Sequence, residues 1–235
     1  LSSLLFDIVF VGHNYTTAQL SQFATDVNTH QSTLLSVAPF SNHSSSINIH
    51  WVNESRNLGC QYNYTGVPRL IGCNSTAVLN LASQCPADEI IVLFNSNRYG
   101  GGGYRTPIGL SSYAIAYSGV QTGQPSGDRV TVHEFGHSFG SLHDEYNGTA
   151  TNMTAPDGPN CDLGNCTRWS SLNLSLSCTQ GCTFSNWYRG DDGPGDLMRN
   201  LTRLYFGPVC RNALNGLLSR YPRPSCNSTT PCQCG

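Results

Sequence analysis

Two histidines, His133 and His137, stand four residues apart in the chain, and Glu134 directly follows the first of them. On a helix this spacing places both imidazole rings on one face, with Cβ atoms roughly 5–6 Å apart, so both can bind one metal ion. Imidazole ligands that leave an open coordination position suit catalytic zinc, which lowers the pKa of a bound water to about 7. A carboxylate beside that water can take its proton as a general base. The three residues therefore predict zinc-dependent hydrolysis with Glu134 as the catalytic base.

The residues after this pair predict a third ligand. Gly140 comes three residues after His137, where a residue able to adopt positive φ can end the helix and turn the chain back. That turn would bring His143 to the metal, and the complete pattern HExxHxxGxxH is the metzincin zinc signature. Metzincins also carry a methionine in a tight turn beneath the metal. Met198, which follows a turn containing glycine and proline, is the candidate for this Met-turn.

Charge and composition exclude several classes of function. The chain has 235 residues, enough for one domain with a sizeable core. Only 11% of residues are charged, against about 25% in an average soluble domain, and all 12 basic residues are arginine. The formal charge of -2 gives no basic field for nucleic acid and no polybasic patch for a membrane. No run of about 18 apolar residues occurs, so no transmembrane helix is expected.

Asn-x-Ser/Thr sequons are more frequent than composition explains. With 21 asparagines and about a fifth of all residues Ser or Thr, chance predicts about four sequons, whereas the chain has eleven. Dense N-glycosylation would explain this excess, and it would also keep so uncharged a surface soluble. The predicted acceptors of N-linked glycans are Asn14, Asn42, Asn53, Asn63, Asn74, Asn147, Asn152, Asn165, Asn173, Asn200 and Asn227.

The cysteine count indicates an oxidising compartment. The chain has 11 cysteines, which in a glycosylated secretory protein are expected to form disulfides. Because the number is odd, one cysteine is free, paired between chains, or paired with a residue outside this sequence. Glycans and disulfides together predict a secreted, extracellular protein, and an intermolecular disulfide would allow self-assembly.

Apolar patterns predict an α/β architecture. The run Glu89–Phe94 is apolar on both faces, as expected for a strand at the centre of a sheet covered by helices. Besides the zinc helix, we predict strands at 6–11, 47–52, 89–94 and 112–117 and helices at 17–37, 76–83 and 209–220.

Three other stretches have a more specific interpretation. The strand at 112–117 is a candidate for pairing with an extended substrate through backbone hydrogen bonds. The glycine run between Tyr99 and Tyr104 is interpreted as a flexible rim loop or a bulge. Residues 147–200 contain four of the eleven cysteines and few periodic segments, so we expect disulfides to hold them more than regular structure does.

The longer string HEFGHSFGSLHDEY resembles the IgA-peptidase family of secreted zinc metallopeptidases. The segments DIVFVGHNYT, IIVLFNSNRYGGGGY, YRGDDGPGDLMR and FGPVCRNAL are also similar, so the resemblance spans most of residues 6–215. It implies a metzincin-like zinc metalloprotease fold with a mixed sheet and the zinc helix along the floor of a cleft. The α/β upper subdomain would comprise residues 1–143. A smaller, irregular, disulfide-rich lower subdomain with the Met-turn and a C-terminal helix would comprise residues 144–235.

Two positions depart from the family pattern. Many relatives have an acidic residue at the position of His13. Relatives also often have a small residue at the position of His143, followed by Asp-Glu-Tyr, which makes Asp144 a rival third ligand. We assign the third ligand to His143 and keep Asp144 as the alternative. Tyr146 and Tyr188 are candidates to stabilise the oxyanion.

The leading interpretation is a secreted endopeptidase that hydrolyses peptide or protein substrates, with Zn²⁺ as its cofactor. The alternative is a heavily N-glycosylated extracellular structural or assembly glycoprotein, built on a metalloprotease fold and with little or no activity. The sequon excess, the low charge and the odd cysteine favour the alternative. Peptide cleavage that a zinc chelator abolishes would distinguish the two.

Overall fold

The computed structural model describes residues 5–105, 112–146, 148–164, 166–172, 176–191, 193, 195–221 and 232–234. This part of the chain forms nine strands in two sheets. The strands are β1 (Phe6–His13), β2 (Ile47–Val52), β3 (Glu89–Phe94), β4 (Gly101–Tyr104), β5 (Tyr113–Tyr117), β6 (Cys161–Asp162), β7 (Ser177–Cys182), β8 (Phe184–Asp191) and β9 (Cys232–Cys234). The four α-helices are α1 (Leu20–Ser36), α2 (Ser75–Ala82), α3 (Gly127–Ser138) and α4 (Pro208–Leu218).

The larger sheet has the strand order β4-β5-β3-β1-β2-β9, and every pair in it is parallel except β4 with β5. Its centre is apolar on both faces. In β1, Val9 and Val11 pack into one hydrophobic cluster, whereas Ile8 and Phe10 pack into the other. This is the pattern of a strand covered by helices on both sides. The predicted α/β fold with a mixed sheet is confirmed.

The helices cover the two faces unequally. Residues of α1, α3 and α4 belong to one core cluster with Ile8 and Phe10, and α2 belongs to the opposite cluster with Val9 and Val11. Each fully buried aliphatic or aromatic side chain contributes on the order of 1.5–3 kcal/mol. The face with three helices therefore holds the larger share of the core, and α3 lies on it. No helix in the described residues is both long and apolar enough to cross a membrane.

The glycine run forms strand β4, so its interpretation as a flexible loop or bulge was wrong. The physical reason is the close approach of α3. A Cβ on Gly101 would lie 2.6 Å from Oε1 of Glu134, and one on Gly103 would lie 2.6 Å from the Glu134 carbonyl oxygen. Both distances are shorter than real Cβ contacts, so only glycine lets this strand lie against the helix.

The predicted role of strand 112–117 was also wrong. In the structure β5 pairs with β3 on one side and with β4 on the other. Both of its edges are therefore occupied by other strands, and it offers no backbone to a substrate. The outermost described strand at this end of the sheet is β4.

The second sheet contains regular structure that the sequence did not predict. It is three-stranded, in the order β6-β8-β7, and it is antiparallel. Disulfides reinforce it as expected, because Cys161 is bonded to Cys182 and Cys166 to Cys178. A third disulfide, Cys60–Cys73, closes the loop before α2.

The chain after the second sheet returns to the main core. Leu197, Met198, Phe206, Leu214 and Leu218 are buried in the same cluster as the residues of α1 and α3. Strand β9 likewise pairs with β2. The division into subdomains at residues 143 and 144 stays a prediction.

Candidate metal centre

Helix α3 presents two different faces. Val132 and Phe135 are fully buried against the sheet side of the core. His133, Glu134 and His137 line a cleft on the side where Gly101 and Gly103 of β4 approach the helix. The cleft has a volume of about 390 Å³.

Backbone carbonyls fix the orientation of both imidazole rings. Nδ1 of His133 lies 3.1 Å from the Leu197 carbonyl oxygen, and Nδ1 of His137 lies 2.6 Å from the Leu142 carbonyl oxygen. Because a carbonyl oxygen can only accept, each Nδ1 carries the proton and donates it. In the neutral rings each Nε2 therefore holds a lone pair, and the two Nε2 atoms lie 3.1 Å apart.

A carboxylate completes this arrangement. Oδ1 of Asp144 lies 3.2 Å from Nε2 of His133 and 3.2 Å from Nε2 of His137. This oxygen is buried and accepts no hydrogen bond from the described residues. Three lone-pair donors that face one another in a partly buried site repel unless a cation lies between them. The donor set thus fits a metal ion.

The electrostatics of the trio agree with this chemistry. Burial lowers the pKa of His137, but the Asp144 and Glu134 carboxylates outweigh burial and raise that pKa to about 9. Burial acts to raise the pKa of Asp144, but the two histidines outweigh it, and the pKa lies well below its usual range. The site therefore stabilises positive charge beside a permanently ionised carboxylate. Burial raises the pKa of Glu134, which makes this carboxylate a better proton acceptor near neutral pH.

The structure does not bring His143 to the histidine pair. Its Nε2 lies 2.8 Å from Oδ1 of Asp157, and its ring meets the edge of Trp187 at 5.1 Å between centroids. The left-handed residue of the turn is Ser141, with φ 54°, one position later than Gly140. The residue that reaches the histidine pair is likewise one position later, Asp144 in place of His143.

Gly140 allows close packing and does not make the turn that the sequence predicts for it. A Cβ at this position would lie 2.7 Å from Cδ2 of Leu214 and 2.8 Å from the Gly136 carbonyl oxygen. Glycine is therefore required for close packing of the end of α3 against α4, whereas the turn itself is made by Ser141.

Met198 lies directly beneath α3. It is fully buried, and a Cβ on Gly136 would lie 2.8 Å from its sulfur. The turn that contains it is fastened on both sides, because the Met198 backbone N–H donates to Oδ1 of Asp196 at 2.8 Å and the Met198 carbonyl accepts from the Glu145 N–H at 2.9 Å. The neighbouring Leu197 carbonyl is the one that orients His133.

Two of the other predicted positions, His13 and Tyr188, lie outside the metal centre. His13 is buried at the end of β1, where its Nδ1 accepts from the Leu58 N–H at 3.0 Å. Tyr188 lies on β8 and packs against Trp169 and Val209. Tyr146 does line the cleft, and so does Arg69, which no sequence pattern indicated. Arg69 is 77 residues from Tyr146 in the chain, so only the fold brings the two together.

Seven of the predicted glycan acceptors fall in the described residues. Asn14, Asn42, Asn63, Asn74 and Asn200 are exposed, and Asn53 and Asn152 are partly exposed. Asn147, Asn165, Asn173 and Asn227 lie outside the described residues. Glycosylation itself stays a prediction.

Within the described residues, the free cysteine is Cys210. It is buried, and its thiol lies 3.4 Å from Oε1 of Glu145. The three disulfides named above all lie within the chain. A buried thiol is not placed to bond to a second molecule, so Cys210 gives no support to assembly through an intermolecular disulfide.

Two helical histidines, a third protein donor and a carboxylate in the same cleft define the class of a candidate metal-dependent hydrolase. The match to known families agrees with this class: the model of the family described as IgA peptidase M64 matches residues 2–166, and the chain belongs to that family. The resemblance seen in the sequence is thereby confirmed, and membership implies a metallopeptidase that acts on peptides. No curated protein was found to match the chain.

Proposed function

We propose that the protein is a secreted zinc endopeptidase in which His133, His137 and Asp144 hold the metal and Glu134 is the general base. One observation carries the proposal. The two Nε2 lone pairs and Oδ1 of Asp144 converge within 3.2 Å of one another, in the cleft that Glu134 also lines.

The choice of Asp144 over His143 rests on where each side chain lies. Asp144 Oδ1 faces both histidines, whereas His143 is held by Asp157 on the side of the second sheet. Two imidazoles and one carboxylate are a donor set found at catalytic zinc sites, where a fourth position stays open. Zinc bound here would polarise the scissile carbonyl and lower the pKa of the attacking water.

The residues of the chain have separate tasks in this scheme. The Leu197 and Leu142 carbonyls keep the two imidazoles in the tautomer that presents Nε2 to the metal. Glu134 takes the proton of the attacking water, and its raised pKa suits that transfer. Met198 would be the Met-turn residue, a packed floor beneath the helix that carries both histidines.

The cleft favours an extended peptide as the substrate. Strand β4 runs along it and is the outermost described strand at that end of the sheet. The backbone of Gly101 is already bonded to Arg69 and Ile71, so an extended chain would pair through backbone hydrogen bonds with the part of β4 from Gly103 onward, a mode of binding that tolerates many sequences. The three disulfides named above and the exposed sequon asparagines of the described residues support secretion and an N-glycosylated surface.

Peptide cleavage by the zinc-loaded protein tests the proposal. We expect cuts in a mixed peptide library that a chelator abolishes, and Glu134→Gln should reduce kcat about 10²–10⁴-fold. Glu54→Gln is the matched control, because Glu54 does not line the cleft and pairs with Arg56. Zinc-loaded protein that cuts no peptide would refute the proposal and favour the structural glycoprotein.

A further inference from the structure

The second oxygen of Asp144 is held by a short chain of hydrogen bonds. While Oδ1 faces the two histidines, Oδ2 accepts from the Tyr146 hydroxyl at 2.6 Å. The same hydroxyl accepts from Nη2 of Arg69 at 3.0 Å. A tyrosine hydroxyl can donate one hydrogen bond while it accepts another, so Tyr146 can link Arg69 to Asp144. The hydrogen bonds therefore run from Arg69 to Tyr146 to Asp144.

Arg69 enters this chain from a segment that is fixed to the sheet. Its carbonyl accepts from the Gly101 N–H at 3.1 Å, and the Ile71 N–H donates to the Gly101 carbonyl at 2.9 Å. The disulfide Cys60–Cys73 closes the loop that contains these residues. The guanidinium is thus anchored to β4, whereas Asp144 and Tyr146 follow the end of α3.

Within the part of the chain that the structure describes, Arg69 is not held in place by an ion pair with a carboxylate. In the described residues, the arginines that pair with carboxylates are Arg56, Arg105, Arg189 and Arg199. Among these described residues Arg69 forms no such pair, and its guanidinium donates a hydrogen bond to the Tyr146 hydroxyl. The positive charge of the Arg69 guanidinium therefore strengthens the hydrogen bond that the Tyr146 hydroxyl donates to Asp144.

We propose that Arg69 and Tyr146 are positioning residues that hold the Asp144 carboxylate with Oδ1 toward the metal. Asp144 lies in irregular backbone after α3, so fixing the orientation of its carboxylate costs conformational entropy that partners on Oδ2 can offset. Partners that orient a metal ligand typically change metal affinity or activity by about 10–100-fold when they are removed. This inference rests on the proposed function, because it takes Asp144 as a ligand.

Metal affinity, and not activity alone, tests the inference. Purified protein with its disulfides intact would be titrated with Zn²⁺ against a competing chelator, and the visible spectrum of the Co²⁺-substituted protein would report the ligand field. Tyr146→Phe keeps the ring and removes the hydroxyl, so we expect about 10–100-fold weaker Zn²⁺ binding and a shifted Co²⁺ spectrum. Arg69→Met should shift both in the same direction and by less.

The control is Arg98→Met. Arg98 stacks on Tyr62 at 4.3 Å and donates to the carbonyl of Pro68, the residue before Arg69, at 3.1 Å, yet it does not line the cleft. It should leave metal affinity unchanged. Unchanged thermal unfolding of each metal-free variant would show that the fold is intact.

A double-mutant cycle separates a chain of hydrogen bonds from two independent effects. If Arg69 acts through Tyr146, then adding Arg69→Met to Tyr146→Phe costs no further affinity. Arg69→Lys, which keeps a charged donor, should restore part of the loss. Additive effects, or a Tyr146→Phe variant with wild-type affinity and spectrum, would overturn the inference and leave the proposed function standing. Wild-type protein that binds neither Zn²⁺ nor Co²⁺ would overturn both.

Discussion

The identity of the third ligand gives the sharpest prediction. Asp144→Ala removes one of the three protein donors of the proposed metal site. Zinc sites with four ligands bind with roughly 10–16 kcal/mol, which is about 3 kcal/mol for each ligand, so we expect Zn²⁺ affinity to fall by a factor of roughly 150 or more. His143→Ala removes the contacts with Asp157 and Trp187 and no metal ligand. It should reduce stability by about 1–2 kcal/mol and change zinc affinity less than about 10-fold.

The assay is zinc titration against a chelator, run in parallel on both variants and the wild type. Thermal unfolding of the metal-free proteins distinguishes a loss of zinc affinity from a loss of fold stability. We expect His143→Ala to be the less stable variant and Asp144→Ala to be the weaker zinc binder. The reasoning from the geometry is refuted by the reverse pattern, in which His143→Ala loses zinc and Asp144→Ala retains it.

Three further predictions follow from packing, burial and sequons. Gly103→Ala places a Cβ 2.6 Å from the Glu134 carbonyl oxygen, and denaturant unfolding should show a loss of stability of about 1–3 kcal/mol. Gly216→Ala is the control, because a Cβ there has no other atom of the described residues within 4 Å, and it should be neutral or slightly stabilising. Burial raises the pKa of Glu89 to about 7 from 4.5, so the fold loses stability as the pH rises through that range. Glu89→Gln should therefore stabilise the fold at pH 8 by up to about 3 kcal/mol and change its stability little near pH 4. Equal effects at both pH values would contradict this prediction. Protein from its native source should show sequon asparagines converted to aspartate in peptide maps after enzymatic deglycosylation, and an unmodified map would contradict the glycan prediction.

Much of the sheet could be predicted because its signal is local. The strands β1 and β3 contain the continuous apolar runs 8–11 and 90–94, and such runs predict burial on both faces of a sheet. The strand β4 could not be predicted in this way. Glycine is depleted in strands, and it is required at Gly101 and Gly103 only because α3 lies against them, which is a tertiary contact.

The candidate site also has a part that local sequence predicts and a part that depends on tertiary contacts. The spacing of His133 and His137 is a property of one helix, and the structure places both imidazoles together as that spacing indicates. The third donor depends on the backbone after the helix. There, the left-handed residue is Ser141 and not the glycine that the pattern suggests, so spacing alone could not choose between His143 and Asp144. Arg69 had no sequence signal, because its contact with Tyr146 spans 77 residues.

Three distant parts of the chain meet at Gly101 in the cleft: β4, the loop that carries Arg69, and α3. The Gly101 N–H donates to the Arg69 carbonyl, and the Gly101 carbonyl accepts from the Ile71 N–H, so the disulfide-closed loop is hydrogen-bonded to β4 at this position. On the opposite side, Oε1 of Glu134 would lie 2.6 Å from any Cβ there. A larger side chain at position 101 must therefore displace either Glu134, the proposed base, or the loop that carries Arg69. Glu134 lies on α3 with His133 and His137, and Arg69 leads through Tyr146 to Asp144, so either displacement would reach a proposed metal ligand.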